Sequence, residues 1–205
     1  AFIDDMIATT DHAVRKMSNL VDHIRKPSSG ADEQRAPIDL TQLVRELIED
    51  NSRRSPAPWL QGAPPAIQVC ADKEQLRSVL GHLISNAQDA TAPTGEITLN
   101  LKTAKGNVVL FIQDTGSGMT EEFIRTRLFK PFESTKGLTG MGIGAYQARE
   151  YIQELGGSID VTSEPGLGSC FSVRIPLATA ATDEETGSKP EPTDSGLHED
   201  RQAVN

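Results

Sequence analysis

Residues 108–119 read VVLFIQDTGSGM, an apolar run that ends in an aspartate and two glycines. The apolar run predicts a buried strand, and a Lys-Gly turn joins it in a hairpin to residues 96–102. Asp114 stands at the end of this strand, where its carboxylate can accept a hydrogen bond from an exocyclic amine. Gly116 and Gly118 let the main chain pass close to a flat ring. Taken alone, the pattern is also that of an ordinary Asp-Gly turn.

A predicted helix before this hairpin carries three polar groups on one face. Asp72 caps the helix, which runs to about residue 91. His82, Asn86 and Asp89 are spaced by four and three residues, so they share a face opposite to the apolar side chains. Asn86 offers an amide oxygen, a hard neutral ligand that suits Mg²⁺. A simply solvated helix face would show the same spacing.

A second glycine-rich segment opens the helix predicted over residues 142–155. Gly140, Gly142 and Gly144 place amides without side chains at a helix N-terminus, an arrangement that suits phosphate. A flexible loop that leads into a helix explains this segment equally simply. It is not a Walker A loop, because the chain contains no Gly-Lys-Ser/Thr sequence. It is not a dinucleotide fingerprint either, because a loop rather than a strand precedes it.

The predicted elements add up to an α+β fold, a two-layer α/β sandwich whose mixed sheet carries helices on one face. This domain spans residues 37–177 and closes with a hairpin of residues 158–163 and 169–176. Residues 52–65 hold four prolines and the only tryptophan, and are predicted to be loop. Residues 178–205 contain seven acidic and two basic residues, which predicts a disordered acidic tail.

Residues 1–27 predict a separate helix with apolar side chains at heptad-like spacing. The helix has no core of its own to pack on, so we expect a partner helix, and residues 28–36 link it to the sandwich. The net charge of −9 comes with no basic patch suited to nucleic acid. No apolar run approaches the ~20 residues of a membrane span. Cys70 and Cys170 have no metal-ligand spacing and are expected to be buried, reduced thiols.

Together these motifs resemble the catalytic and ATP-binding domain of a sensor histidine kinase, in the GHKL superfamily with the Bergerat fold. The N box resembles residues 80–91, the G1 box 114–119, the F box 129–132 and the G2 box 140–144, in that order. The F box favours histidine kinases over the gyrase, mismatch-repair and chaperone branches. The resemblance covers residues 72–177, roughly half of the chain.

The resemblance implies a role for each matching residue. Asn86 would coordinate Mg²⁺, Asp114 would bind the adenine amine, and Ser169 would lie near the adenine through water. His82, Asn86 and Lys136 would serve catalysis, with Lys136 reaching the β- or γ-phosphate from a mobile lid. The other residues expected to bind ATP are Asp89, Gly116, Gly118, Met119, Thr135, Gly140, Gly142 and Gly144.

Two of these positions depart from the family pattern. His82 stands where many relatives have Asn and the hydrolysing branches have Glu. Asp89 replaces a basic residue that is common in other kinase subfamilies. The roles of these two side chains therefore stay open, with Asp89 expected in a second shell around Mg²⁺ or water.

The implied function is transfer of the ATP γ-phosphate to a histidine, followed by relay to a response regulator receiver domain. The acceptor histidine is expected upstream of Ala1, and residues 1–26 would join a homodimeric helical bundle in the parent protein. The domain is expected in the cytoplasm, and attachment of the parent to a membrane is left open. Two alternatives also stay open: a conformational ATPase of the GHKL type, and a nucleotide-sensing module without kinase activity.

Overall fold

Seven strands and four helices make up the part of the chain that the computed structural model describes, residues 35–133 and 142–178. In chain order the elements are β1 (Ala36–Asp39), α1 (Leu40–Asn51), β2 (Pro58–Leu60), β3 (Gln68–Ala71), α2 (Lys73–Ala90), β4 (Ile97–Ala104), β5 (Asn107–Asp114), α3 (Glu121–Thr126), α4 (Gly144–Glu154), β6 (Ser158–Glu164) and β7 (Gly168–Pro176). Five strands form the main sheet in the order β2-β4-β5-β7-β6. The β2–β4 pair is parallel and the other neighbours are antiparallel, so the sheet is mixed as predicted.

One face of the main sheet is buried under helices α1, α2 and α4. Alternate residues of each strand point into this core, and Leu99, Leu110 and Val173 are fully buried. From the helix side, Leu80 and Ile84 of α2 are fully buried against them. Burial of this apolar surface is the main force that holds the two layers together. It places β5 and β7 against α2.

The two helices next to the β1–β3 pair begin at aspartates that cap them. Asp39 accepts a hydrogen bond from the Gln42 N–H at 3.1 Å and starts α1. Asp72 accepts one from the Gln75 N–H at 3.0 Å and starts α2, which confirms the cap predicted from the sequence. These caps fix where α1 and α2 begin, and the buried apolar side of α2 turns its polar side away from the core.

The prediction of a continuous loop over residues 52–65 was wrong in its middle, where Pro58–Leu60 form β2. This short strand lies at the edge of the sheet and pairs only with β4. A proline is tolerated there because an edge strand leaves one row of its N–H groups without a strand partner. The short strand β1 was not predicted either. It lies where the predicted linker meets the start of the predicted domain.

The prediction of buried cysteines was also wrong. Cys70 is exposed and Cys170 is half-buried. Successive strand residues point to opposite faces, and the inward positions next to these cysteines belong to Val69 and Phe171. Cys170 therefore lies on the open face of the main sheet, the face that the helices do not cover. Trp59 lies on the same face and is 43% exposed.

The predicted helix over residues 1–27 and nearly all of the predicted tail lie outside the described residues. Within residues 35–133 and 142–178, no helix combines the length and apolar character needed to cross a membrane.

The loop between α1 and β2 is held on α2 by Gln88. Its amide nitrogen Nε2 lies 3.0, 3.3 and 3.2 Å from the carbonyl oxygens of Asn51, Arg54 and Pro56. The Gln88 side chain is only 3% exposed. A proline-rich loop cannot satisfy its own carbonyls by regular structure, so a buried side-chain donor takes that role.

We expect the substitution Gln88→Ala to lower the free energy of unfolding by about 2 kcal/mol, because it removes the donor to the Arg54 carbonyl oxygen and to the buried Pro56 carbonyl oxygen. Equilibrium unfolding in urea would measure this change. Gln113→Ala, at an exposed glutamine on the open face of the sheet, is the matched control and should stay within about 0.5 kcal/mol of the original chain. Equal stabilities for the two variants would show that the Gln88 amide does not hold the loop.

Candidate functional site

Asp114 is a buried carboxylate at the end of β5, with only 3% of its surface exposed. Its oxygen Oδ1 accepts hydrogen bonds from the N–H groups of Gly116 at 2.8 Å and Ser169 at 3.2 Å. Both main-chain donors use the same oxygen, and no described residue donates to Oδ2. The carboxylate is thus oriented by the protein through one oxygen and can accept from a ligand through the other.

The pKa of the Asp114 carboxyl is raised above its ordinary value of 3.8, because burial disfavours the charged form. The two main-chain N–H groups oppose this shift, since they stabilise the carboxylate. A desolvated acceptor of this kind forms stronger hydrogen bonds with a ligand than an exposed one does.

Three glycines allow the main chain to approach Asp114 where a side chain has no room. A Cβ on Gly168 would lie 2.0 Å from the carbonyl oxygen of Asp114, and one on Gly118 would lie 2.0 Å from that of Glu164. A Cβ on Gly116 would lie 2.4 Å from the carbonyl oxygen of the last residue of α2. The loop after β5 is therefore packed between the end of α2 and the β6–β7 turn, as only glycines permit.

Ser163 joins this cluster from β6, next to Ser169 of β7 in the sheet register. Its hydroxyl oxygen accepts the Met119 N–H at 2.8 Å and so ties the loop after β5 to the hairpin. The sequence pointed to Ser169 and Met119 but missed Ser163. Its position opposite Ser169 in the predicted hairpin is the signal that could have found it.

The polar face of α2 borders the same region. His82 is exposed at one edge, while its imidazole packs against Gly144, where a Cβ would lie 3.3 Å from the His82 Cγ. Desolvation of the ring on this packed side lowers the pKa of His82 below its usual 6.5, which favours the neutral imidazole. Asn86 is half-buried one turn later. Asp89 forms an ion pair with Arg54, so the loop after α1 already engages that carboxylate.

Two predicted phosphate-site glycines lie where α4 begins. Gly142 has φ +62°, and a Cβ there would lie 2.5 Å from the carbonyl oxygen of Glu133. The Phe132 N–H donates to the Gly142 carbonyl oxygen at 2.9 Å and joins the two described stretches of chain at this point. Gly144 is the first residue of α4. The other predicted residues of this segment lie outside the described part of the chain: Thr135, Lys136 and Gly140.

Residues 71–179 match the family described as histidine kinase-, DNA gyrase B-, and HSP90-like ATPases. The chain belongs to this family. The match covers more than half of the 205 residues and includes α2, β5, α4 and the β6–β7 hairpin, the elements that surround Asp114. The match is to a family of ATP-binding domains, and the family predicted from the sequence is confirmed.

Two of the curated proteins that this chain resembles are described as a sensor histidine kinase and a sensor protein. The sensor histidine kinase ZraS of Klebsiella oxytoca is 28% identical over 185 residues, which cover 88% of this chain and 39% of ZraS. The sensor protein SrrB of Staphylococcus aureus is 36% identical over 109 residues, which cover 51% of this chain and 19% of SrrB. The structure of full-length ShkA in complex with AMPPNP is 29% identical with a TM-score of 0.61, over 71% of this chain and 32% of ShkA. The chain thus spans well under half of the length of each of these proteins. The similarity in fold to ShkA confirms the predicted α+β sandwich.

Proposed function

We propose that this chain is the ATP-binding catalytic part of a two-component sensor histidine kinase, which transfers the ATP γ-phosphate to a histidine side chain. The observation that carries the proposal is the buried Asp114, with one oxygen held by main-chain donors and the other open to a ligand amine. Membership of the ATPase family and the sensor-kinase relatives support it.

The adenine end of ATP would bind at the loop after β5. Asp114 would accept the exocyclic amine through Oδ2, with Ser169 contributing through water. Gly116 and Gly118 would let the main chain lie against the ring, and the half-buried Met119 would pack on it. The main-chain N–H groups that hold Asp114 keep its free oxygen aimed at the ligand, so the site is preorganised for a donor.

The phosphate end would lie between α2 and the start of α4. Gly140, Gly142 and Gly144 would supply main-chain N–H groups for the triphosphate, with Thr135 and Lys136 of the same segment beside them. Asp89 would contribute from the end of α2. Its ion pair with Arg54 supports an indirect contact rather than a direct one, since the carboxylate is already engaged.

Asn86 would hold Mg²⁺ through its amide oxygen. The described residues contain no group of three His, Cys, Asp or Glu side chains placed to bind a metal ion, so phosphate and water oxygens would have to complete the shell. That donor set fits Mg²⁺, which keeps several waters and shares phosphate oxygens. Bound Mg²⁺ would offset negative charge on the phosphates.

Phosphoryl transfer depends mainly on positioning and on charge stabilisation. Lys136 would neutralise charge on the γ-phosphate, and the neutral imidazole of His82 would orient a reacting group rather than add charge. The acceptor histidine would lie upstream of Ala1, on a helical bundle that residues 1–26 help to form in a homodimer. A receiver domain of a response regulator would then take the phosphate. Because ATP is the donor, the domain would work in the cytoplasm.

Labelling with γ-³²P ATP tests this proposal on the parent protein that contains the upstream helix. We expect label bound to the protein in an acid-labile form, as phosphohistidine is. Release of free phosphate without protein label would instead indicate a conformational ATPase. ATP binding with neither product would indicate a nucleotide-sensing module.

We expect the affinity for ATP to fall as the pH drops through the raised pKa of Asp114, because the ionised carboxylate is the stronger acceptor and a protonated carboxyl can turn its O–H toward the ligand amine. The same shift means that Asp114 stabilises the fold at low pH, and that this contribution is lost as the pH rises from 3.8 through the folded pKa. Calorimetric titrations with ATP and Mg²⁺ at successively lower pH, starting from neutral, would show the loss. Asp114→Asn is the control, and equal pH profiles for both proteins would contradict the assignment.

A further inference from the structure

Three polar side chains form a row across the buried face of the sheet, next to the loop that follows β5. Asp114 on β5 is the register partner of Ser169 on β7, and Ser169 is the partner of Ser163 on β6. Asp114 and Ser169 are buried and Ser163 is half-buried. Direct partners on one face lie close enough for their side chains to bond.

The Ser163 hydroxyl uses all of its hydrogen-bonding capacity inside the protein. Its oxygen accepts the Met119 N–H at 2.8 Å, lies 2.8 Å from the Gly168 carbonyl oxygen and lies 3.0 Å from the Ser169 hydroxyl oxygen. A serine hydroxyl has one proton and two lone pairs. A carbonyl oxygen can only accept, so the Ser163 proton goes to Gly168. Ser169 must therefore donate its own proton to Ser163.

This arrangement fixes what Ser169 can offer to a ligand. With its proton directed at Ser163, the Ser169 hydroxyl has only lone pairs left. The ionised carboxylate of Asp114 is also an acceptor only. The base subsite would therefore present acceptors from both side chains, which suits a donor amine and opposes a carbonyl oxygen.

We propose that Ser163 is a positioning residue that sets the base selectivity of the nucleotide site, by holding the Ser169 hydroxyl with its lone pairs toward the base. In this arrangement the Ser169 hydroxyl contacts the base directly, in place of the water-mediated contact that the family resemblance implies. The inference rests on the proposed function. Adenine carries an amine at position 6, whereas hypoxanthine carries a carbonyl oxygen there. Without the Ser163 hydroxyl, the Ser169 proton can rotate toward that carbonyl, and part of the discrimination against it is lost.

The experiment compares the dissociation constants of ATP and of ITP, the hypoxanthine nucleotide, by calorimetry with Mg²⁺. The proteins are the original chain, Ser163→Ala, Ser163→Thr and Ser172→Ala. Ser163→Thr keeps the hydroxyl. Ser172→Ala is the matched control, because Ser172 lies on β7 but on the opposite face of the sheet.

We expect Ser163→Ala to reduce the preference for ATP over ITP by about tenfold, as for one lost hydrogen bond of selectivity. Ser163→Thr and Ser172→Ala should both keep the preference for ATP over ITP that the original chain shows. Loss of the Met119 contact alone would weaken the binding of ATP and of ITP equally. An unchanged ratio of the two dissociation constants in Ser163→Ala would therefore overturn the inference. Thermal unfolding checks that each variant is folded.

A second variant keeps the inference testable if Ser163→Ala does not fold. Ser169→Ala removes the acceptor itself and should also reduce the ratio of ATP to ITP affinity, and an unchanged ratio there would equally overturn the inference. If the original chain binds neither nucleotide, the proposed function fails along with the inference. If the original chain binds ATP and Asp114→Ala does not, while the Ser163 and Ser169 variants keep the original ratio, only the inference fails.

Discussion

Replacing Asp114 with alanine is expected to weaken ATP binding by at least about 2 kcal/mol, or roughly 30-fold in Kd. The reason is that the carboxylate is buried and its Oδ2 accepts from no described residue, so the ligand amine would lose a desolvated charged acceptor. Calorimetry with Mg²⁺ and a non-hydrolysable ATP analogue would measure the change.

Two further variants separate binding from folding. Asp114→Asn keeps an oxygen for the Gly116 and Ser169 N–H groups but can turn an amide N–H toward the ligand amine, so it should also bind poorly while remaining folded. Asp160→Ala removes an exposed aspartate from the open face of β6 and should bind ATP normally. If Asp114→Ala binds as well as Asp160→Ala does, Asp114 is only a turn residue and the nucleotide site lies elsewhere.

The substitution Gly168→Ala is expected to lower the free energy of unfolding by about 3 kcal/mol or more and to abolish ATP binding. The added Cβ would lie 2.0 Å from the carbonyl oxygen of Asp114, and main-chain atoms on both strands would have to move. The φ of +103° at Gly168 adds the cost of a conformation that side chains disfavour. Because the clash is with Asp114 itself, the site would be distorted even where the domain stays folded.

Gly166→Ala is the matched control for this prediction. Gly166 lies in the same turn with φ +80°, but nothing lies within 4 Å of its would-be Cβ. Its substitution should therefore cost only about 1–2 kcal/mol of backbone strain and leave ATP binding intact. Equal losses of stability in the two variants would mean that strain, and not the approach to Asp114, explains the need for glycine at position 168.

Much of the fold could be predicted from the sequence because it depends on neighbouring residues. The apolar run of β5, the Asp72 cap of α2 and the polar spacing of His82, Asn86 and Asp89 are local patterns with local causes. The edge strand β2 could not be predicted, because its strand state comes from pairing with β4, about 39 residues later in the chain.

The sequence by itself determined the family, the mixed sheet with helices on one face, and the position of Asp114 at the end of a buried strand. Only the tertiary structure decided which hydrogen bonds the side chains at the site form and in which direction. The free oxygen of Asp114 and the proton direction of Ser169 depend on the Ser169 N–H and on Ser163, which other strands supply. The placement of Gln88 under the loop after α1 depends on a contact more than 30 residues apart. Hydrogen-bond direction is set by all groups around an atom at once, and those groups are neighbours in space and not in sequence.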